Sequence, residues 1–117
     1  MYEIKVERRR NEGTLTYSNG GVSVNTSCWW DPAVKIPALT YSGCSATHMT
    51  RKLNSRGELR EGIYIPGVPG RSGIFIHMGT NAGWSDGCIV IIESELLRIW
   101  NDITPHNGEN VTVTVRG

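Results

Sequence analysis

A histidine and a cysteine stand eleven positions apart in this chain, on either side of a polar, glycine-rich segment. His77 follows the apolar residues 74–76, and Cys88 is followed by the apolar residues 89–92. This pattern predicts two strands joined by a loop, with both side chains at neighbouring strand ends. An ordinary thiol ionises at about pH 8.5, and an adjacent imidazole makes the thiolate available at neutral pH. The spacing therefore predicts Cys88 as a nucleophile and His77 as its general base and later its general acid.

The three residues before Cys88 are typical of a polar turn rather than of a protein core. Gly87 permits backbone conformations that a side chain would strain, and it lets a substrate approach the backbone closely. Ser85 either orients the histidine or the loop, or is a simple turn residue. Asp86 holds an imidazole, contacts a substrate amine, or is a turn residue with no further role. The alternatives for the pair are a buried core cysteine and a histidine that caps a strand end, and the polar flank favours the catalytic interpretation.

The segment resembles the signature of the L,D-transpeptidase catalytic domain, the YkuD-type fold. That family has an upstream histidine in a His-Gly-Thr-like loop, followed by Ser/Thr-His-Gly-Cys and an apolar residue. Asp86 stands where the family usually has histidine, and Val90 stands where many members have arginine. The resemblance covers roughly positions 62–92 and is closest to compact relatives among phage proteins and secretion-system effectors. The matching residues are His77, Gly79, Thr80, Ser85, Gly87, Cys88 and Ile89.

The resemblance implies a small, mostly β, L,D-transpeptidase-like sandwich with one packed α-helix, and cysteine acyl transfer on bacterial peptidoglycan stem peptides without a cofactor. Cys88 would attack the carbonyl after meso-diaminopimelate, release the terminal D-alanine and hold the acyl group as a thioester. Transfer to a second stem gives a cross-link, transfer to a D-amino acid gives exchange, and transfer to water gives carboxypeptidase action. Backbone N–H groups near Gly87 and Cys88 would form an oxyanion hole. Gly79 and Thr80 would shape the substrate loop, and Trp84 either lines the site or packs beneath it.

Charge and hydropathy restrict the partners of the protein. The 12 Lys and Arg residues nearly balance the 11 Asp and Glu residues, which argues against nucleic acid or an anionic membrane as the main partner. No apolar run is long enough to span a bilayer, and residues 1–6 lack the apolar region of a signal peptide. We therefore expect synthesis in the cytoplasm and action in the periplasm or cell wall after delivery. Because several small relatives are antibacterial effectors or lysis proteins, an immunity protein and a delivery machinery are candidate partners.

The 117 residues predict a single catalytic domain, 1–117, built mostly from strands. Apolar residues alternate with charged ones over residues 2–6, which predicts a half-buried strand. Segments 14–17 and 22–25 flank Asn19 and Gly20, the strongest short signal for a hairpin. The alternating valines of residues 111–115 predict a closing strand.

One helix is predicted near the C-terminus, and one loop in the middle of the chain. Ser94 is a favourable N-cap, Pro105 ends the helix, and the apolar residues that follow Ser94 share one face. That face consists of Leu96, Leu97, Trp100 and Ile103. Residues 50–62 are polar and predict a mobile loop, of a kind that often borders an active site.

The chain has three cysteines, so one remains after any internal disulfide. Cys88 is the natural odd one, whereas Cys28 and Cys44 either pair or are small buried thiols. We favour reduced thiols, because no signal peptide is present. Cys28, Cys44 and His48 would make three zinc ligands, but Cys-x-x-Cys spacing is absent, so no metal is predicted.

Two other interpretations remain. An NlpC/P60-like endopeptidase also uses a cysteine, but that family places its cysteine before its histidine, the reverse of the order of His77 and Cys88. A non-catalytic phage or secretion-system structural module could have kept the fold, although the intact pair argues against loss of the chemistry.

Overall fold

A computed structural model describes residues 1–10, 12–85 and 87–117, and this part of the chain forms eight strands and one α-helix. The helix is α1 (Glu93–Asp102), and a short 3-10 helix spans Ala82–Trp84. The strands are β1 (Tyr2–Arg8), β2 (Gly13–Asn19), β3 (Val22–Cys28), β4 (Thr40–Leu53), β5 (Leu59–Tyr64), β6 (Phe75–Met78), β7 (Ile89–Ile91) and β8 (Val111–Arg116). The prediction of a mostly β domain with one packed helix is confirmed.

The eight strands form a sheet in the order β3-β2-β1-β8-β4-β5-β6-β7. β1 pairs with β8 and β6 pairs with β7 in parallel, and the other neighbours are antiparallel. The long strand β4 belongs to both halves of the sheet, and its pairing with β8 shifts register between Tyr41 and Cys44. The two outer strands meet where Trp29 and Val90 exchange two backbone hydrogen bonds of 2.9 Å each. The sheet is therefore nearly closed around its core.

Alternating apolar side chains place the core inside this sheet. Ile4 and Val6 of β1 are buried, as are all three valines of β8. The predicted hairpin forms between β2 and β3, where Asn19 pairs with Val22 and Gly20 has a φ of 57°. The positive φ is the conformation that such a turn requires and that glycine adopts without strain. These strand predictions are confirmed.

Helix α1 packs against β3, β5 and β6 and so supports the strand that carries His77. Its buried residues are Leu96, Ile99 and Trp100, and the Trp100 indole N–H donates to the Thr47 carbonyl oxygen at 2.8 Å. The predicted N-cap at Ser94 is wrong, because the helix begins at Glu93 and has no side-chain cap. Within the described ranges no helix combines the length and the apolar character that crossing a bilayer requires.

The predicted loop at residues 50–62 is instead a hairpin, formed by β4, β5 and the turn 54–58, and it is called the β4–β5 hairpin below. Asn54 closes the turn, because its side-chain oxygen accepts from the N–H groups of Arg56 at 2.9 Å and Glu58 at 3.1 Å. Glu61 is 7% exposed and bonds to both Arg56 and Asn54. The buried side chains within residues 50–62 are the polar Asn54 and Glu61, so this segment lacks the apolar alternation from which a strand is predicted.

Candidate active site

The pairing of β6 with β7 brings the chain positions of His77 and Cys88 close together. His77 is in register with Val90, and Cys88 directly precedes β7, two residues before Val90. Both side chains line the same cavity. The prediction that the two apolar runs form neighbouring strands is confirmed.

The imidazole of His77 is held in one orientation at the end of β6. The side chain is 3% exposed, and its Nδ1 lies 2.8 Å from the carbonyl oxygen of Met78. A carbonyl oxygen can only accept, so Nδ1 carries the hydrogen in this bond. The neutral imidazole therefore has its basic lone pair on Nε2, the atom that a general base requires.

The thiol of Cys88 lines the cavity and is 5% exposed. Its sulfur accepts the backbone N–H of Phe75 at 3.4 Å and donates to the carbonyl oxygen of Gly73 at 3.9 Å. The backbone at the start of β6 therefore positions this sulfur.

Ser85 fixes the turn that leads into Cys88. Its side chain is 4% exposed, its hydroxyl donates to the Cys88 carbonyl oxygen at 2.5 Å, and it accepts the Gly87 N–H at 3.2 Å. These two bonds show Ser85 orienting the loop, which is one of the roles considered for it above. The Gly87 N–H, expected from the resemblance as an oxyanion donor, is engaged by Ser85 and would have to exchange this partner to bind an oxyanion.

The backbone conformation at position 87 favours glycine. The φ of 98° lies in a region in which L side chains are strained. A Cβ atom here would also lie 2.6 Å from the Arg71 guanidinium, but this is the end of a flexible side chain that can move aside. The predicted special conformation of Gly87 is confirmed. Asp86, the other predicted residue of this turn, lies outside the described residues.

The three predicted loop residues, Gly79, Thr80 and Trp84, differ in their positions relative to the cavity. Gly79 is buried, and a Cβ atom on it would lie 2.7 Å from the Trp84 Cβ and 3.0 Å from the Val90 Cβ. Its lack of a side chain lets Trp84 pack over the end of β6. Trp84 is 43% exposed and lines the cavity, whereas Thr80 is exposed and is not among the described lining residues.

The cavity has a volume of about 530 Å³ and includes residues that the motif did not indicate. The described lining residues are Met49, Lys52, Arg60, Gly73, His77, Asn81, Gly83, Trp84 and Cys88. Three of these, Met49, Lys52 and Arg60, belong to the β4–β5 hairpin, so this hairpin borders the cavity. Asn81 closes the short 3-10 helix, because its side-chain oxygen accepts the Gly83 N–H at 2.8 Å.

The other two cysteines are buried thiols away from this cavity. Cys28 and Cys44 are 0% exposed and form no disulfide. Burial raises the pKa of Cys28 to about 12 and that of Cys44 to about 11, so both are protonated at neutral pH. The described residues contain no group of three or more His, Cys, Asp or Glu side chains that could hold a metal ion.

Comparisons of the chain with protein-family models, with curated proteins and with solved structures find no match.

Proposed function

We propose that this protein is a cysteine acyltransferase or hydrolase of the L,D-transpeptidase type, acting on bacterial peptidoglycan stem peptides. The observation that carries the proposal is that His77, on β6, and Cys88, directly before the paired strand β7, line one cavity. The choice of substrate follows from the motif that contains the two residues.

The reaction begins with transfer of the Cys88 thiol proton to His77 Nε2. The thiolate attacks the peptide carbonyl carbon and forms a tetrahedral intermediate. As the C–N bond breaks, the imidazolium returns its proton to the leaving amine, and a thioester to Cys88 remains. An acceptor amine or water then attacks the thioester, gives its proton to His77, and releases the acyl group from sulfur.

The surroundings of the pair suit this two-step reaction. The Met78 carbonyl oxygen holds the His77 tautomer that can accept the thiol proton. Ser85 holds the backbone on both sides of residue 86, so that Cys88 is presented at a fixed position. A cavity of about 530 Å³ lies within the range of small-ligand sites and has room for a short peptide segment.

The proposed substrate determines where the protein would act. Peptidoglycan lies outside the cytoplasm, so the proposed place of action is the periplasm or the cell wall. A delivery machinery belongs to this proposal, and an immunity protein belongs to it if the activity is antibacterial.

A defined muropeptide mixture, analysed by mass spectrometry, tests the proposed function. We expect loss of the terminal D-alanine from tetrapeptide stems, with release of the tripeptide, exchange of the terminal residue, or formation of a cross-linked dimer. Cys88→Ala should remove all three products, whereas Cys44→Ala, a matched change at a buried thiol, should retain them. Equal turnover by the Cys88→Ala variant would overturn the proposal, and cleavage within the stem would favour the endopeptidase interpretation.

A further inference from the structure

We propose that Lys52 and Arg60, on the β4–β5 hairpin, form a subsite that binds a carboxylate of the acyl donor beside Cys88. The identity of the donor rests on the proposed function, but the subsite itself is defined by charge and position. Both cations line the same cavity as His77 and Cys88. The described residues that line this cavity include no carboxylate.

Among the described residues, the hairpin pairs one cation with carboxylates and leaves two others without such a partner. Arg56 lies 2.5 Å from Glu61 and 3.8 Å from Glu58. By contrast, no carboxylate of the described residues comes within 4.0 Å of Lys52 or Arg60. Both cations line the same cavity as Cys88.

Arg60 is positioned for anion binding by two contacts. Its Nε donates to the Leu53 carbonyl oxygen at 3.0 Å, and the centre of its guanidinium lies 5.5 Å from the centroid of the Trp84 ring. Burial lowers the pKa of Arg60, partly opposed by the negative charge of Glu93, yet a guanidinium remains charged at neutral pH. Its two terminal amino groups have no hydrogen-bond partner among the described residues, and this fork matches the two oxygens of a carboxylate.

The shared cavity limits the distance between the bound carboxylate and the attacked carbonyl. Lys52 and Arg60 line the cavity that Cys88 also lines, so the recognised carboxylate is one close to the scissile bond. Two carboxylates of a stem peptide meet this condition, the C-terminal carboxylate of the leaving residue and the one on the side chain of meso-diaminopimelate.

Alkylation of Cys88 by a charged and a neutral reagent tests the subsite without any peptide. Iodoacetate carries a carboxylate and iodoacetamide does not. The rate of alkylation by iodoacetate divided by the rate by iodoacetamide therefore reports positive charge near the sulfur. We expect this ratio to be higher for the protein than for N-acetylcysteine. Lys52→Gln and Arg60→Gln should each lower it roughly three- to fivefold, and 0.5 M salt should lower it in the wild type.

Arg51→Gln is the matched control, because it removes one positive charge from the same strand. Arg51 neighbours Lys52 but is not among the described lining residues of the cavity, so its replacement should leave the ratio unchanged. Circular dichroism and melting temperature establish that each variant is folded. A ratio in the wild type equal to that of N-acetylcysteine, or a ratio unchanged in the Lys52→Gln, Arg60→Gln double variant, would overturn the subsite.

Amidated donors then distinguish the two sources of the carboxylate. Three tetrapeptides are compared, with both carboxylates present, with a C-terminal amide, or with an amide on the diaminopimelate side chain. We expect one amide to reduce kcat/KM at least tenfold in the wild type and much less in Arg60→Gln. Equal turnover of all three donors would overturn carboxylate recognition while leaving the proposed function intact. If the wild type processes none of them, the proposed function fails, and the reagent ratio still decides the subsite.

Discussion

Replacing Ser85 with alanine removes the hydroxyl that ties together the turn before Cys88. This hydroxyl donates to the Cys88 carbonyl oxygen at 2.5 Å and accepts the Gly87 N–H at 3.2 Å, and its residue is 4% exposed. Alanine has the same backbone preferences in this extended segment but offers neither bond. The change therefore leaves two backbone groups in a buried turn without their partner.

The expected cost follows from these two bonds. A buried backbone group left without a partner costs about 1–3 kcal/mol, so the loss of two partners in Ser85→Ala should lower the free energy of unfolding by about 2–6 kcal/mol. For a domain of this size each kcal/mol corresponds to roughly 4 °C in melting temperature, which gives a fall of roughly 8–24 °C. A nucleophile displaced by about 1 Å loses about 100-fold in rate, so kcat should fall by about that factor with a smaller change in KM.

Ser45→Ala is the control for this prediction. Ser45 is also buried, at 7% exposed, but among the described residues its hydroxyl has a single bond, in which it accepts the Glu109 N–H at 2.8 Å. Its replacement should cost about 1 kcal/mol and leave the rate unchanged. Differential scanning fluorimetry and muropeptide turnover measure both quantities at 25 °C, where both variants are folded. If the two variants lose the same stability and the same activity, Ser85 does not hold the catalytic turn.

Three further changes test other parts of the structure. Gly87→Ala should lower activity and melting temperature together, because position 87 has a φ of 98°, and a variant as stable and active as the wild type would contradict the strained turn. Gly79→Ala should displace Trp84, whose Cβ would lie 2.7 Å from the new methyl group, and a red shift of tryptophan fluorescence reports it. The raised pKa values of Cys28 and Cys44, about 12 and about 11, stabilise the fold fully below about pH 8.5, where unfolded thiols are protonated. Above that pH each thiol should lower the free energy of unfolding by about 1.4 kcal/mol per pH unit until its folded pKa is reached, as measured by urea unfolding, and Cys28→Ala should flatten this slope.

Local patterns were sufficient to predict most of the strands. The alternation over residues 2–6 and 111–115 directs apolar side chains to one face, and Asn19 with Gly20 specifies the first hairpin. The closure of the sheet was not predictable, because the bridge between Trp29 and Val90 joins positions far apart in the chain. Nothing local to Trp29 indicates that its backbone will pair with β7.

In the candidate site, too, local patterns predicted some features, whereas others depend on pairing between distant strands. The apolar runs beside His77 and Cys88 predicted two neighbouring strands, and the β6–β7 pairing confirms this. Lys52 and Arg60 could not be assigned to the cavity from the sequence, because β4 and β5 reach it only through the pairing of β5 with β6. The helix start at Glu93 was also missed, because Ser94 is a favourable cap that the backbone does not use.

The pH dependence of Cys88 alkylation in the wild type and in His77→Ala tests the central claim most directly. At pH 7 an ordinary thiol is only about 3% ionised, so activation by His77 can raise the rate by at most about 30-fold. We expect the wild type to react faster at pH 7 than N-acetylcysteine, and His77→Ala to slow this reaction at pH 7 but much less above pH 9. His48→Ala, a change at a histidine outside the described cavity lining, should leave the profile unchanged. Superimposable profiles for the wild type and His77→Ala would mean that the two side chains do not communicate, and would contradict the proposed catalytic pair.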